Sequence, residues 1–193
     1  MRLVKKDNHY NYELHNFDYI KKHHTHFIEY ANLAYKRFQF AHSNSNSPTK
    51  LYRYYNFFQL VTGSTHYHKL YKNLITIIKK YNNSKERLWL QCWINYQNKS
   101  EVLNWHSHMD CLSHGYISID PKKTETHFEN YKIKNEIGNI YIGEANIKHK
   151  VVNLSDYDDK RITLGFDVLN QKCYKKLISE FGNIDVNLSF MPI

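Results

Sequence analysis

The sequence predicts an α+β domain in which helices come first and pack against a β-sandwich or barrel. Two observations carry that expectation. Apolar residues recur at threes, fours and sevens over roughly the first 85 positions, and short runs rich in aromatic and β-branched residues, separated by turn clusters, fill positions 86–170. Helices followed by strands suit helices that buttress one sheet of a sandwich.

From Phe17 to Phe40 the positions Phe17, Ile20, Phe27, Ala31, Ala34, Tyr35 and Phe38 define one or two amphipathic helices. Asn44-Ser45-Asn46-Ser47-Pro48-Thr49 is a breaker. A second helical stripe runs through Leu70, Tyr71, Leu74, Ile75, Ile77, Ile78 and Tyr81, and stops at Asn82-Asn83-Ser84. Strands are expected at Leu88–Tyr96, Gly115–Ile119, Gly138–Gly143, His149–Val152 and Arg161–Val168. The turns fall at Asp120-Pro121-Lys122-Lys123, Asn135-Glu136 and Ser155–Asp159. No internal repeat or long linker divides the chain, so residues 1–193 are expected to form one domain. It comprises a helical buttress (1–85), a sheet core (86–170) and a C-terminal extension (171–193).

Composition narrows the function classes. With 193 residues and 41% hydrophobic content, the chain can bury a core. No apolar run approaches the roughly 20 residues a membrane helix needs, and no apolar segment follows the basic start, so a cytoplasmic protein is expected, of the host if the source is viral. Three dispersed cysteines, Cys92, Cys111 and Cys173, fit neither a disulfide framework nor a zinc pair. Cys111 reads as a packing residue. A net charge of +9 favours weak attraction to polyanions, which leaves nucleic acid as a candidate partner without implying sequence readout.

Chemistry concentrates at Trp105-His106-Ser107-His108-Met109-Asp110, with His149 and Arg161 downstream. On an extended chain, positions i and i+2 project to one face, so His108 and Asp110 could grip one ion. His149 follows 39 positions later (149 − 110), and Arg161 another twelve (161 − 149). Two imidazoles and one carboxylate form the ligand set of a non-haem iron(II) site with open faces. His106 is also two residues from His108. A His106/His108/His149 set would be a three-imidazole centre, closer to zinc or to a cupin dioxygenase.

The order of these elements resembles the double-stranded β-helix (jelly-roll, cupin-like) oxygenases that use iron(II) and 2-oxoglutarate. It is most similar to a compact branch found in bacteria and phages. Trp93-Ile94-Asn95, His106-Ser107-His108 and Leu112-Ser113-His114-Gly115-Tyr116 carry the resemblance, which covers about residues 88–170. It implies His108, Asp110 and His149 as iron ligands, and Arg161 as the clamp on the distal carboxylate of 2-oxoglutarate. Thr163 would assist, with Asn95 and Tyr116 as further co-substrate contacts. It also implies ascorbate as the reductant and hydroxylation of a substrate C–H bond, with a peptidyl side chain the first substrate class to consider. Gly143-Glu144-Ala145-Asn146 departs from the apolar, proline-containing turn of relatives, and Glu144 is a candidate pocket residue. The competing reading is a non-catalytic or zinc-binding cupin-like module that binds nucleic acid through its basic surface. Oligomeric state is open.

Outside this constellation, His23, His24, His26, His66 and His68 are expected on solvated helix faces. Tyr52, Tyr54, Tyr55, Phe57 and Phe58 are expected to bury against the sheet rather than stack on bases. Asp156, Asp158 and Asp159 form a solvated loop near the mouth of the site.

Overall fold

A computed structural model describes residues 1–41, 49–50, 55–101, 103–181 and 189–193. A large antiparallel sheet carries helices on one face and a smaller three-stranded sheet on the other. Two strands open the chain, β1 (Arg2–Asp7) and β2 (Tyr12–Asn16). Helices α1 (Asp18–Lys22) and α2 (His24–Ala41) follow, then the short β3 (Thr49–Lys50), α3 (Phe57–Leu60) and α4 (Thr65–Asn82). The strands of the core are β4 (Trp89–Gln97), β5 (Ser113–Asp120), β6 (Thr124–Phe128), β7 (Lys132–Lys134), β8 (Asn139–Glu144), β9 (His149–Asn153) and β10 (Arg161–Leu169). Helix α5 (Gln171–Phe181) and β11 (Phe190–Pro192) end the chain. The large sheet runs β1-β2-β8-β5-β10-β4-β11, with β3 also on β4, and the small sheet runs β7-β6-β9. This is the expected α+β jelly roll.

Helix α4 shows why the buttress forms. Ser64 caps it, its hydroxyl accepting from the Tyr67 amide at 3.3 Å, and Asn83 closes it in the left-handed conformation that asparagine tolerates. Tyr67, Leu70, Leu74, Ile77 and Ile78 form its buried stripe. Each such side chain contributes roughly 1.5–3 kcal/mol of burial free energy. The Tyr67 hydroxyl donates to the Phe27 carbonyl at 2.8 Å and ties α4 to α2. Phe57 and Phe58 are buried as expected and Tyr55 is partly so, whereas Tyr52 and Tyr54 lie outside the described residues, as do positions 44–48 of the breaker.

Period-two alternation in β10 separates the core from the cavity. Ile162, Leu164, Phe166 and Val168 enter the hydrophobic layer beneath the helices. Arg161, Thr163, Gly165 and Asp167 face the other way. The neighbours are in register: β4 sets Gln97, Asn95, Trp93 and Gln91 beside those four, and β5 sets Ser118, Tyr116 and His114 beside the last three. Gly115 falls on the helix face, where a Cβ would come within 2.1 Å of the Phe166 ring and 2.3 Å of the Tyr141 carbonyl; only glycine fits there.

Three features depart from the sequence expectation. The first 16 residues form a hairpin rather than helix. Its turn is held by Asp7, which accepts from the amides of His9 and Tyr10, both at 3.1 Å, and by Asn11 at φ 46°. Strand β2 joins β8 and so completes the large sheet. Strands β6 and β7 add a second sheet, whose Phe128 and Ile133 pack on Tyr12, Tyr116 and Tyr141. The C-terminal extension supplies a strand that the sequence reading did not place, β11, which pairs with β4. No described helix is long and apolar enough to cross a membrane.

Candidate metal centre

The segment before β5 is placed by pairing, not by a regular strand. His106 and His149 form an isolated antiparallel bridge, each amide donating to the other's carbonyl at 3.0 and 2.9 Å. The His108 amide donates to the Ala145 carbonyl at 2.9 Å. His106 and His108 are two positions apart on this extended stretch, so both project to one side. The three side chains His106, His108 and His149 offer ligand atoms that all lie within 4.8 Å of one another.

Each ring has one nitrogen held by an acceptor. The His106 Nδ1 donates to the Asn104 carbonyl at 2.7 Å, and the His149 Nδ1 donates to the Ile147 carbonyl at 3.2 Å. The His108 Nδ1 lies 3.0 Å from Asp167 Oδ1 and 3.2 Å from its Oδ2. Because carbonyls and carboxylates only accept, the protons belong on Nδ1, and the lone pairs are left on Nε2. His108 Nε2 is buried and has no hydrogen-bond partner. An orphaned buried nitrogen beside two further imidazoles is a divalent-metal donor set, with the outer acceptors that such ligands need.

Burial and the neighbouring imidazoles push His149 down to about 2; burial also lowers His106. These rings are therefore neutral at pH 7, with no proton to displace before a metal binds.

Asp110 does not join the set. Its backbone is left-handed, with φ at 63°, so the chain turns out of the extended stretch directly after His108 and Met109. Its carboxylate is 40% exposed and pairs with Lys176 of α5 at 2.6 Å. The i and i+2 rule holds here for His106 and His108, while the left-handed turn takes the acid away. Asp110→Ala is expected to leave metal affinity unchanged and to alter the melting temperature little, which isothermal titration and thermal unfolding would check; a lost metal site would return Asp110 to the ligand set.

The other expected residues meet in one cavity of about 330 Å³. It is lined by the three histidines, by Asn95, Tyr116, Arg161 and Thr163, and by Trp93, Leu103 and Val151 among others. Arg161 is 3% exposed and no carboxylate pairs with it among the described residues. Its Nη1 donates to Gln97 Oε1 at 2.5 Å, and its Nε is buried without a partner. Burial pulls its pKa down to about 10. Asn95 donates to the Thr163 hydroxyl at 3.2 Å, and the Tyr116 hydroxyl is buried with no acceptor or donor in hydrogen-bond geometry. Glu144 is exposed, accepts from Asn11 at 2.8 Å and lies outside this cavity.

Two residues here were given no role from the sequence. Asp167 accepts from His108 and, at 2.9 Å, from the Nδ1 of His114, which lines the same cavity. Burial raises the Asp167 pKa, but the two imidazoles more than offset this and hold the carboxyl well below its ordinary range. His114 is pushed down to about 4, chiefly by burial. The signal was present: Asp167 continues the Arg161, Thr163 alternation by two more steps. Of the remaining histidines, His23 and His26 pack against the His66 ring, with centroids 4.5 and 4.3 Å away, rather than standing apart in solvent.

No family model matches the chain, and no curated protein matches it. Solved structures do. The epimerase SnoN in complex with Fe3+, alpha-ketoglutarate and nogalamycin RO is 12% identical over 83% of this chain and 79% of its own, with a TM-score of 0.54. A second SnoN structure, described as a non-heme alpha-ketoglutarate-dependent epimerase from nogalamycin biosynthesis, matches at 9% identity, TM-score 0.45, over 56% of this chain. A 2OG-Fe(II) oxygenase family protein from Burkholderia pseudomallei matches at 13% identity, TM-score 0.39, over 48%. The chain spans 58% and 50% of the length of these last two. At such identities the likeness is one of fold, and this chain has the cupin fold shared with 2OG-Fe(II) oxygenases.

Proposed function

We propose that the protein is an iron(II)- and 2-oxoglutarate-dependent oxygenase, with His106, His108 and His149 as the metal ligands in place of the His108/Asp110/His149 set. One observation carries the reading: three clustered imidazoles, the His108 Nε2 among them buried and unpartnered, line the same cavity as a buried guanidinium that pairs with no acid among the described residues. A buried arginine that pairs with no carboxylate among the described residues suits a carboxylate ligand, which its planar fork binds through two oxygens. Three neutral ligands leave the full charge of a divalent ion, which favours an anionic co-substrate.

The donor set fits iron(II), whose chemistry with 2-oxoglutarate and dioxygen is oxidative decarboxylation coupled to attack on a C–H bond. The protein's own contribution is placement. The histidines bind the ion through Nε2, and Arg161 receives the distal carboxylate, with Thr163 and Asn95 beside it. The Tyr116 hydroxyl is free to donate to the ligand. Trp93, Leu103 and Val151 give the cavity part of its apolar wall. Trp105 and Met109, at 47% and 80% exposure on the segment that carries the ligands, suit a substrate larger than the cavity, so a peptidyl side chain is the substrate class proposed.

A three-imidazole set also suits zinc or a cupin dioxygenase that acts without 2-oxoglutarate. Aerobic incubation of the reconstituted protein with iron(II), ascorbate and 2-oxoglutarate separates these readings. Slow release of succinate, reduced in Arg161→Lys because an ammonium cannot copy the fork, is the expected result. No succinate above the metal-free control would leave the zinc-module reading. Oxygen consumption insensitive to both 2-oxoglutarate and Arg161 would leave the cupin dioxygenase.

A further inference from the structure

The buried carboxylate of Asp167 has no lysine or arginine within 4.0 Å among the described residues; its partners are two imidazoles. A carboxylate taken out of water without a cation is costly, so its placement needs a reason. Asp167 Oδ1 lies 3.0 Å from the His108 Nδ1 and 2.9 Å from that of His114. Since it can only accept, it holds the proton of both rings on Nδ1 and leaves both lone pairs on Nε2.

Those two lone pairs cannot serve one ion. The rings of His108 and His114 are stacked 3.6 Å apart at an interplanar angle of 11°, so their in-plane lone pairs run side by side. The His106 ring is inclined by 66° to His108 and by 56° to His149, while His108 and His149 are near-parallel at 10° but 5.5 Å apart, without the face-to-face contact that His114 makes. His114 thus lies against the face of His108, where its ring braces that of the ligand. The Trp93 ring lies beside this stacked pair, with its centroid 5.7 Å from that of His108 and 6.1 Å from that of His114.

We propose that Asp167 and His114 are a positioning pair for the metal centre: Asp167 fixes the tautomer of His108, and His114, locked by the same carboxylate, braces the plane of that ring. This rests on the metal reading of His106, His108 and His149. It explains the buried carboxylate, because a divalent ion one imidazole away supplies the missing positive charge through His108. It also separates two quantities that a merely structural acid would move together. Both Asp167 oxygens lie within 3.2 Å of the His108 Nδ1, so in Asp167→Asn whichever of them becomes the Nδ2 amide donates towards that Nδ1–H and favours moving the His108 proton to Nε2. Metal binding then suffers, while the metal-free fold loses a buried charge and keeps two hydrogen bonds.

The experiment uses the full chain, with cobalt(II) as the probe and a competing chelator to set the free metal. Two-bond 15N–1H spectra report the histidine tautomers, and thermal unfolding is run on the metal-free protein. The wild type is expected to show Nδ1–H on both His108 and His114. Asp167→Asn is expected to bind cobalt(II) about 10- to 100-fold more weakly, with one ring switched to Nε2–H and no fall in the metal-free melting temperature. His114→Phe, which keeps a flat ring on His108, is expected to retain one cobalt(II) per chain. An Nε2–H tautomer on either ring of the wild type overturns the pair without any variant. Cobalt(II) affinity in Asp167→Asn within twofold of the wild type overturns it, as does complete loss of cobalt(II) in His114→Phe, which would make His114 a ligand. A wild type that binds no cobalt(II) removes the metal reading itself, and the pair with it.

Discussion

Replacing Arg161 by Met is expected to stabilise the ligand-free protein while abolishing 2-oxoglutarate binding. The guanidinium is buried, makes a hydrogen bond to Gln97 and faces no carboxylate among the described residues. Its pKa is drawn from 12.5 to about 10 by burial. That difference corresponds to roughly 3 kcal/mol disfavouring the charged form in the fold. The sign follows from the direction. A cationic group whose folded pKa is depressed destabilises the fold fully below pH 10, and the penalty fades as pH rises from about 10 to 12.5. The whole neutral range therefore carries the cost. Methionine keeps the length of the side chain and removes the charge, at the loss of one hydrogen bond worth about 1 kcal/mol. A net gain of about 1–2 kcal/mol is expected, or a few degrees in melting temperature for a chain of this size. Thermal unfolding at pH 7 reads the gain, and calorimetric titration of the metal-loaded variant with 2-oxoglutarate reads the loss. A destabilised Arg161→Met protein would mean that the guanidinium is compensated inside the fold and needs no anionic ligand.

His149→Ala is expected to cost more than any other single change at the site. His149 is bridged to His106 through both backbone pairs, and its ring offers Nε2 with Nδ1 held by Ile147. Alanine leaves the bridge intact and removes one of three donors, so metal affinity should fall by more than about 100-fold, beyond the range seen for outer partners of metal ligands. The metal-free melting temperature should change little or rise, because a buried imidazole whose charged form is strongly disfavoured is removed. His106→Ala should weaken binding in the same direction. Because burial and the neighbouring imidazoles hold His149 neutral far below pH 6, no proton is expected to leave that ring on metal binding anywhere between pH 8 and pH 6.

How much of this was legible in the sequence depends on what kind of signal each element leaves. Strand β10 was, because Arg161-Ile162-Thr163-Leu164-Gly165-Phe166 alternates strictly, and that alternation places Arg161 and Thr163 on one face. The same alternation extends to Asp167, whose role could have been read by taking it two positions further. Helix α4 was legible from its stripe. The N-terminal hairpin was not, since β1 is almost wholly exposed and shows no apolar periodicity. Its visible sign was the asparagine-rich turn, Asn8 and Asn11, before the short run Tyr12–Asn16.

At the site, the pairing of His106 with His149 joins residues 43 positions apart (149 − 106), and nothing local announces it. The placement of Asp110 away from the three imidazoles has a definite cause. A His-x-Asp spacing satisfies a metal only if the chain stays extended, and the positive φ at Asp110 is a backbone choice that aspartate permits without displaying it. His114 carried no spacing signal at all; it enters the cavity because β5 sets it beside Asp167 in register.

The central claim is that three imidazoles, and no protein carboxylate, hold one divalent ion beside a guanidinium awaiting an anion. Diffraction from crystals of the iron(II)-loaded protein, recorded across the iron absorption edge, tests it most directly. The expected result is a single anomalous peak about 2.1 Å from the Nε2 atoms of His106, His108 and His149. An ion bound to Asp110 or directly to Asp167, or no iron peak between these rings, would contradict it.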